Sequence, residues 1–172
     1  MNLSEYFTSK ASECLDKGTS FPLSVNLEIT YRCNFQCVQC YNPKMKRLEG
    51  DKREMSTEEL IKLIAELKKS SCLSIVVTGG EPLIRDDIYK ILDAIFSSGI
   101  LCVLFTNGSL INDKFISFSK KHIFRKIIIS VYGMSPQTYQ NITGDSKYFK
   151  LVFNNIFRLL KNKIELTLSF IQ

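Results

Sequence analysis

The sequence predicts an α/β protein in which a parallel sheet is covered by helices. Two observations support this fold class: strand-like and helical patterns alternate along the chain, and most of the strand-like runs are continuously apolar. Strands that alternate with helices and are buried on both faces are typical of parallel sheets. The chain has 172 residues, of which 45% are hydrophobic, and this is enough for one domain with a substantial core.

Five segments are predicted to be strands. The first alternates Val25, Leu27 and Ile29 with polar residues, which is the pattern of a strand with one apolar and one polar face. The others are short runs rich in Ile, Val and Leu. In chain order, the predicted strands cover residues 24–31, 74–78, 101–105, 126–131 and 164–171.

Helices are predicted in the four intervals between these strands. In the first interval, Ser56 and Glu59 have the spacing of a capping box, in which each residue accepts the backbone amide of the other. The second helix is predicted to be capped by Asp86 and to end before Gly99. The third is predicted to begin near Asp113, and the fourth to cover residues 146–160. A short helix and loop over residues 1–22 is predicted to precede this core, which covers residues 23–172.

Charge and cysteine content limit the function classes. The net charge is +6, and no aromatic residues are interleaved with the basic ones, so nucleic acid is not the expected partner. No apolar run is long enough to span a bilayer, and no signal peptide is recognisable. We therefore expect no membrane partner and a cytoplasmic protein whose six cysteines are thiols or metal ligands. The basic residues are predicted to form two solvated clusters, Lys44, Lys46, Arg47, Lys52 and Arg53, and Lys120, Lys121, Arg125 and Lys126.

Three cysteines follow the first predicted strand with the spacing C-x3-C-x2-C. Cys33, Cys37 and Cys40 are close enough on one loop to turn toward one centre, and iron–sulfur clusters are held by cysteine thiolates. A [4Fe–4S] cluster has four irons, so three local cysteines leave one iron open for a substrate or cofactor. A disulfide framework would require an even cysteine set in a secreted chain, and a structural zinc would require a fourth ligand. Neither arrangement is visible in the sequence.

This cysteine spacing resembles the signature of the radical S-adenosylmethionine (SAM) enzymes, in which SAM chelates the open iron. Gly79-Gly80-Glu81-Pro82 adds to the resemblance, because the family carries a GGE-type motif at the end of its second strand. The resemblance implies a partial barrel of six βα units with a [4Fe–4S] cluster bound by the three cysteines. Only five strands are predicted here, so we expect a chain that is truncated after the fifth strand, or a partner that covers the open edge.

The resemblance also assigns SAM contacts to residues that follow the second and third strands. Gly79, Gly80 and Glu81 would accept hydrogen bonds from the SAM ammonium group, and Thr106 and Asn107 would line the same cavity. The carboxyl ends of parallel strands are where α/β sheets and barrels bind their ligands.

Further SAM contacts are implied near the third cysteine and the fourth strand. Gln39 stands where many members have an aromatic residue near the adenine, so that contact would be made by backbone or amide. The segment beginning at Ser130, together with Tyr139 and residues 142–144, resembles the peptide-modifying branch, whose members often carry a SPASM or twitch extension. Ser130 would contact the ribose or methionine end of SAM. Some relatives have arginine where this chain has Thr143, so the SAM carboxylate would be held differently here.

The function implied by the resemblance is reductive cleavage of SAM to a 5′-deoxyadenosyl radical, which abstracts hydrogen from a substrate. The expected partners are a peptide or small-molecule substrate and a one-electron reductant such as a flavodoxin or ferredoxin. Three alternatives remain open at this point: a non-catalytic iron–sulfur-binding module, a structural zinc protein, and a radical SAM enzyme that acts on RNA.

Overall fold

The computed structural model describes residues 22–42 and 54–170, together with four isolated helical positions, 8, 9, 12 and 16. Most of the predicted N-terminal unit over residues 1–22, including Cys14, and the first basic cluster lie outside the described residues. The strands are β1 (Ser24–Thr30), β2 (Ser74–Gly79), β3 (Leu101–Thr106), β4 (Lys126–Val131) and β5 (Thr167–Phe170). The helices are α1 (Thr57–Lys69), α2 (Ile88–Ser97), α3 (Asp113–Lys121), α4 (Pro136–Thr143) and α5 (Lys147–Lys161), and a short 3-10 helix covers Pro82–Ile84.

The five strands form one parallel sheet in the order β1-β2-β3-β4-β5. Each strand is hydrogen-bonded to the next one in sequence, for example with Leu27 opposite Val77 and Leu104 opposite Ile127. Right-handed crossovers between successive neighbours all place their helices on the same side of the sheet. This order is the start of a (βα) barrel, and it confirms the predicted fold class.

The core lies between the helical layer and one face of the sheet. Ile75, Val77, Leu104 and Ile129 on that face are fully buried or nearly so. They pack in one cluster with helix residues, including Leu60 and Ile64 of α1, Ile91 and Ile95 of α2, Phe115 of α3 and Val152 of α5. Because side chains alternate along a strand, the intervening residues point to the opposite face, which is therefore free to bind a ligand.

Cys72 and Cys102 belong to this core and not to the cysteine loop. The side chain of Cys72 is 4% exposed and that of Cys102 is 1% exposed, and both are free thiols. Burial raises the pKa of the Cys102 thiol to about 12, so that it is neutral at physiological pH. These positions agree with the prediction that both cysteines are structural residues.

Most predicted elements are confirmed to within a few residues, but the start of α2 was predicted wrongly. Its N-cap is Asp87, not Asp86, and the Asp87 side chain makes no capping hydrogen bond. Its two carboxylate oxygens instead accept from Arg85 at 2.8 and 2.6 Å, and one also accepts from Thr57. The buried Arg85 guanidinium in turn donates to the carbonyl of Ile29 at 2.8 Å. The acid is therefore committed to a long-range network that no local pattern reveals.

Helix α4 was not predicted at all. Ser135 caps it by accepting the Thr138 amide at 3.1 Å, Pro136 stands at its first position, and Gly144 ends it with a φ of 90°. These are standard start and stop signals, so it could have been found from the sequence. Its apolar content is low, which is why the periodicity did not identify it.

The second basic cluster lies far from the carboxyl ends of the strands. Lys120 and Lys121 end α3, Lys126 begins β4, and all four residues of the cluster are exposed. This placement agrees with a solvated surface. In the described parts of the chain, no helix is long and apolar enough to cross a membrane.

Candidate active site

A cavity of about 360 Å³ opens at the carboxyl ends of the strands. Every site residue predicted from the sequence lines it, with the exception of Glu81. The predicted residues in its wall are Cys33, Cys37, Gln39, Cys40, Gly79, Gly80, Thr106, Asn107 and Ser130. Residues that are far apart in sequence are thus brought together by the parallel sheet, which places all its loop ends at one edge.

Hydrogen bonds to α4 and α5 hold the cysteine loop, residues 33–40, in place. The amides of Gln36 and Val38 donate to the carbonyls of Thr143 and Ile142 at 3.1 and 2.9 Å. The Tyr148 hydroxyl donates to the carbonyl of Asn34 at 2.9 Å. These bonds make the loop a rigid wall of the cavity.

The ring of Phe35, within the cysteine loop, also helps to hold the loop in place. Phe35, which is 1% exposed, packs with its ring centroid 4.1 Å from that of Tyr148 and 5.9 Å from that of Tyr132. This packing anchors the segment between Cys33 and Cys37 against α5.

The three thiols differ in burial. Cys37 is buried, whereas Cys33 and Cys40 are half-buried. Burial is the main cause that raises the pKa of the Cys33 thiol to about 12, and the nearby Glu81 and Cys37 raise it further. Binding of a metal would therefore have to displace a proton from Cys33, as thiolate ligation generally requires.

Three cysteine thiols are the type of ligand that an iron–sulfur cluster requires. Among the described residues, no three His, Cys, Asp or Glu side chains are grouped closely enough to hold one metal ion. Thiolates that ligate a cluster bind separate irons of one cube, so they lie further apart from one another than the ligands of a single zinc ion. Three thiols on one loop beside an open cavity match that requirement.

The two glycines of the GGE motif are required by contacts between strands. A Cβ on Gly79 would lie 2.2 Å from the carbonyl oxygen of Thr30, and one on Gly80 would lie 2.2 Å from that of Arg32. The Gly80 amide donates to Thr30 at 2.7 Å. Both glycines also line the cavity, but the close approach that excludes a side chain is to the chain's own backbone.

Glu81 is fully buried behind the cavity wall. Its Oε1 accepts from the Leu83 amide at 3.1 Å and from the Thr106 hydroxyl at 2.7 Å, and its Oε2 accepts from the Asn107 amide at 2.6 Å. Burial raises the pKa of Glu81 to about 7, although these three hydrogen bonds act in the opposite direction. Its geometry is that of a residue that joins two loops, and a direct contact with SAM stays a prediction.

Asn107 connects the third strand to the cysteine loop. Its Nδ2 lies 2.9 Å from Asn34 Oδ1 and 3.8 Å from Cys33 Sγ, and its Oδ1 accepts from the amide and the hydroxyl of Ser109. Neither Asn34 nor Ser109 was predicted to be a site residue. Asn34 lies inside the cysteine motif, and this position could have identified it from the sequence.

The fourth and fifth strands contribute residues on the cavity face. Ser130 lines the cavity from β4 and is paired in register with Ser169 of β5, which also lines it. Tyr132 follows in the same wall, and burial together with the neighbouring Cys37 raises the pKa of its hydroxyl. Ser169 and Tyr132 were missed as cavity residues, although Tyr132 is two positions from Ser130 and therefore lies on the same side of the extended chain.

Thr143 occupies a structural position outside the cavity. It is 1% exposed, its hydroxyl donates to the carbonyl of Tyr139 at 2.7 Å, and its own carbonyl holds the cysteine loop. Where some relatives have arginine, this chain therefore has a threonine whose side chain packs against the preceding turn of α4.

A parallel partial barrel whose open end holds three loop cysteines and a GGE turn defines a cofactor-binding α/β domain. The model of the Radical SAM superfamily matches residues 27–171, which is most of the chain. The chain belongs to the radical SAM superfamily, and the family predicted from the sequence is confirmed.

Relatives and solved structures place the chain among several branches of that superfamily. It is 26% identical over 136 residues to the mycofactocin maturase MftC of Mycolicibacterium smegmatis, covering 79% of this chain and 34% of the maturase. It is 33% identical over 122 residues to a probable GTP 3′,8-cyclase of Methanothermobacter thermautotrophicus, covering 70% of this chain and 39% of that protein. The chain thus spans well under half the length of these curated relatives.

Similar folds are found in crystal structures solved with SAM. The Streptococcus suis protein SuiB bound to S-adenosylmethionine superposes with a TM-score of 0.68 at 16% identity, over 100% of this chain and 47% of SuiB. The anSMEcpe structure with bound AdoMet gives a TM-score of 0.70 at 21% identity, over 86% of this chain and 43% of that protein. These similarities confirm the fold.

Proposed function

We propose that this chain binds a [4Fe–4S] cluster through Cys33, Cys37 and Cys40 and binds SAM in the adjoining cavity. The observation that carries the proposal is that one cavity is lined by all three cysteines and by the carboxyl ends of β2, β3 and β4. Family membership and the SAM-bound structural neighbours support it.

The chemistry supplied by the bound cofactors is one-electron reduction of the SAM sulfonium, which yields methionine and a 5′-deoxyadenosyl radical that abstracts hydrogen from substrate. The protein binds, orients and shields this chemistry. Gly79 and Gly80 offer backbone groups at the cavity wall, and Ser130 and Gln39 offer polar side chains there. In our proposal these four residues, together with Thr106 and Asn107, form the SAM pocket, and Glu81 supports it from behind.

A peptide is the substrate class that we propose. SuiB has been crystallised with its precursor peptide SuiA, with a TM-score of 0.66 to this chain, and MftC is named as a maturase. We further propose a cytoplasmic location and electron supply by a flavodoxin- or ferredoxin-type donor. None of the five described cysteines is in a disulfide, which fits a reducing compartment.

Anaerobic reconstitution of the protein with iron and sulfide tests the proposal. Reduction with dithionite and addition of SAM should release 5′-deoxyadenosine. Replacing Cys33, Cys37 or Cys40 by alanine should lower bound iron several-fold and abolish release. Cys102→Ala is the matched control, because that thiol lies in the core, and it should keep its iron while losing on the order of 1 kcal/mol of stability.

A cluster that forms without any cleavage of SAM would support a non-catalytic iron–sulfur module instead. Zinc bound without sulfide would support the structural zinc alternative. Either result would end the radical SAM proposal for this chain.

A nucleotide substrate is the second candidate, because two of the curated relatives are named as a probable GTP 3′,8-cyclase and a GTP 3′,8-cyclase, at 33% and 28% identity. Release of 5′-deoxyadenosine should be measured with GTP and with a peptide in parallel. Stimulation by GTP alone would favour a small-molecule substrate.

A further inference from the structure

We propose that Asn107 is a positioning residue that donates a side-chain N–H to the sulfur of Cys33 and so raises the reduction potential of the cluster. The inference rests on the proposed function, since it concerns a ligand of the cluster. It assigns to Asn107 a role toward the cluster in addition to its place in the cavity wall.

The orientation of the Asn107 amide is fixed by a backbone group. The Ser109 amide can only donate, and it lies 2.9 Å from Asn107 Oδ1, so the oxygen of the Asn107 side chain must face Ser109. The Ser109 hydroxyl lies 2.6 Å from the same oxygen. The amide nitrogen therefore faces the other way, toward the cysteine loop.

The two hydrogens of that nitrogen have two acceptors on the cysteine loop. One is Asn34 Oδ1 at 2.9 Å, and the other is Cys33 Sγ at 3.8 Å. The orientation of the Asn34 amide is consistent with this, because its own nitrogen donates to the Ser109 hydroxyl at 2.8 Å. The three polar side chains form a closed ring of hydrogen bonds, with Cys33 as the additional acceptor.

The ring is rigid because its backbone is also held. The Asn107 amide donates to the buried Glu81 at 2.6 Å, and Asn155 donates to the carbonyls of Gly108 and Ser109 at 2.9 and 3.3 Å. Asn107 and Ser109 are only 6% and 5% exposed. In such a poorly solvated place, a donor that points at sulfur acts more strongly than it would in water.

A donor at this position changes the redox couple in a definite direction. When the cluster accepts one electron, it gains one negative charge, and part of that charge resides on its cysteine sulfurs. An N–H that points at Cys33 Sγ stabilises the reduced form more than the oxidised form, which raises the potential. Removing the donor should make the cluster harder to reduce.

The test is the midpoint potential of the reconstituted cluster in wild-type protein and in Asn107→Leu. Leucine keeps the approximate shape of asparagine, lacks the donor and leaves no space for a replacing water. We expect the ratio of reduced to oxidised cluster at a fixed potential to fall about fivefold, a shift of about 40 mV to more negative values at 59 mV per tenfold.

Asn155→Leu is the matched control. It removes a buried asparagine that holds the same loop but is not among the hydrogen-bond donors to Cys33, so it should lower stability and shift the potential far less than Asn107→Leu does. An unchanged potential in Asn107→Leu, or an equal shift in both variants, overturns the proposal.

A second measurement needs no variant and can still overturn the proposal if Asn107→Leu fails to hold a cluster. Cells that produce the wild-type protein can be grown with asparagine that carries ¹⁵N only in its side-chain amide. The reduced cluster should then show a ¹⁵N hyperfine coupling in pulsed paramagnetic resonance spectra. Absence of that coupling overturns the proposal. Failure of the wild-type protein to form a cluster or to cleave SAM is a different result, which contradicts the proposed function itself.

Discussion

The backbone amide of Asn107 donates to the carboxylate of Glu81 at 2.6 Å, so one buried acid joins the ends of β2 and β3. The same carboxylate accepts the Thr106 hydroxyl at 2.7 Å and the Leu83 amide at 3.1 Å. Three donors around a side chain with no solvent exposure offset part of the cost of removing it from water. Glu81 therefore sets the relative position of the two loops that carry the GGE turn and Asn107.

The first prediction concerns the removal of this carboxylate. Glu81→Ala leaves the Thr106 hydroxyl and two backbone amides without their acceptor in the interior, and each such loss is unfavourable. We expect unfolding in urea to show a loss of about 3 kcal/mol. Glu165→Ala, at an exposed position, should change stability by less than about 0.5 kcal/mol. Equal effects of the two variants would contradict the role given to Glu81.

The second prediction concerns pH. The pKa of Glu81 is raised from 4.5 to about 7, so the folded protein holds this proton more tightly than the unfolded chain. The stabilisation that this proton supplies should be full below pH 4.5 and be lost as the pH rises through 7, by on the order of 3 kcal/mol in total. Urea unfolding of wild-type protein and Glu81→Gln should be compared across this range, since glutamine cannot titrate. Two parallel stability curves would show that Glu81 does not titrate in this way.

The strand and helix order was predictable because it depends on local periodicity and capping. The Ser56–Glu59 capping box is present as predicted, with hydrogen bonds of 2.7 and 3.2 Å. The start of α2 was not predictable, because the Asp87 carboxylate is engaged by Arg85 and Thr57, and Arg85 in turn contacts β1. Local rules fail where a distant partner competes for the capping side chain.

The cavity could be predicted in outline because its walls are the loops that follow parallel strands. The placement of Glu81 behind the wall could not be predicted, since its direction depends on the register between β2 and β3. The roles of Asn34 and Ser109 could not be predicted either, because the hydrogen bond between them joins residues 75 positions apart in sequence. A motif identifies the residues of a site, and the tertiary structure decides which of them face the ligand.

The third prediction concerns Gly80→Ala. The added Cβ would lie 2.2 Å from the Arg32 carbonyl oxygen and 2.6 Å from that of Tyr31, and both are backbone atoms that cannot rotate away. Relief of this clash must separate β2 from the cysteine loop and weaken the 2.7 Å hydrogen bond from Gly80 to Thr30. We expect a loss of about 3 kcal/mol or more in urea unfolding, together with weaker retention of iron.

Gly99→Ala is the control for this variant. Gly99 has a φ of 72°, but a Cβ there would have only the Lys68 Nζ atom nearby, at 3.6 Å. The variant should lose about 1 kcal/mol of stability, from the backbone strain of a positive φ alone, and iron retention should not change. A Gly80→Ala variant as stable as Gly99→Ala would falsify the proposed contact between the GGE turn and the cysteine loop.

The fourth prediction separates the two contacts by which Tyr148 holds the cysteine loop. Tyr148→Phe removes the hydrogen bond to the Asn34 carbonyl but keeps the ring against Phe35, and it should cost about 1 kcal/mol. Tyr148→Ala removes both contacts and should cost about 3 kcal/mol. Hydrogen exchange of the Gln36 and Val38 amides is the direct measurement, because both donate to α4 only while the loop is docked.

Both Tyr148 variants should exchange these two amides faster than wild-type protein, and Tyr148→Ala should do so more. Tyr89→Phe is the control, since its hydroxyl makes only a 3.5 Å contact with Asn112, away from the loop. Unchanged exchange at Gln36 and Val38 in Tyr148→Ala would show that the loop is held by other contacts. Faster exchange that is confined to the loop would show that the cysteines are positioned by α5, because loss of global stability would instead speed exchange throughout the sheet.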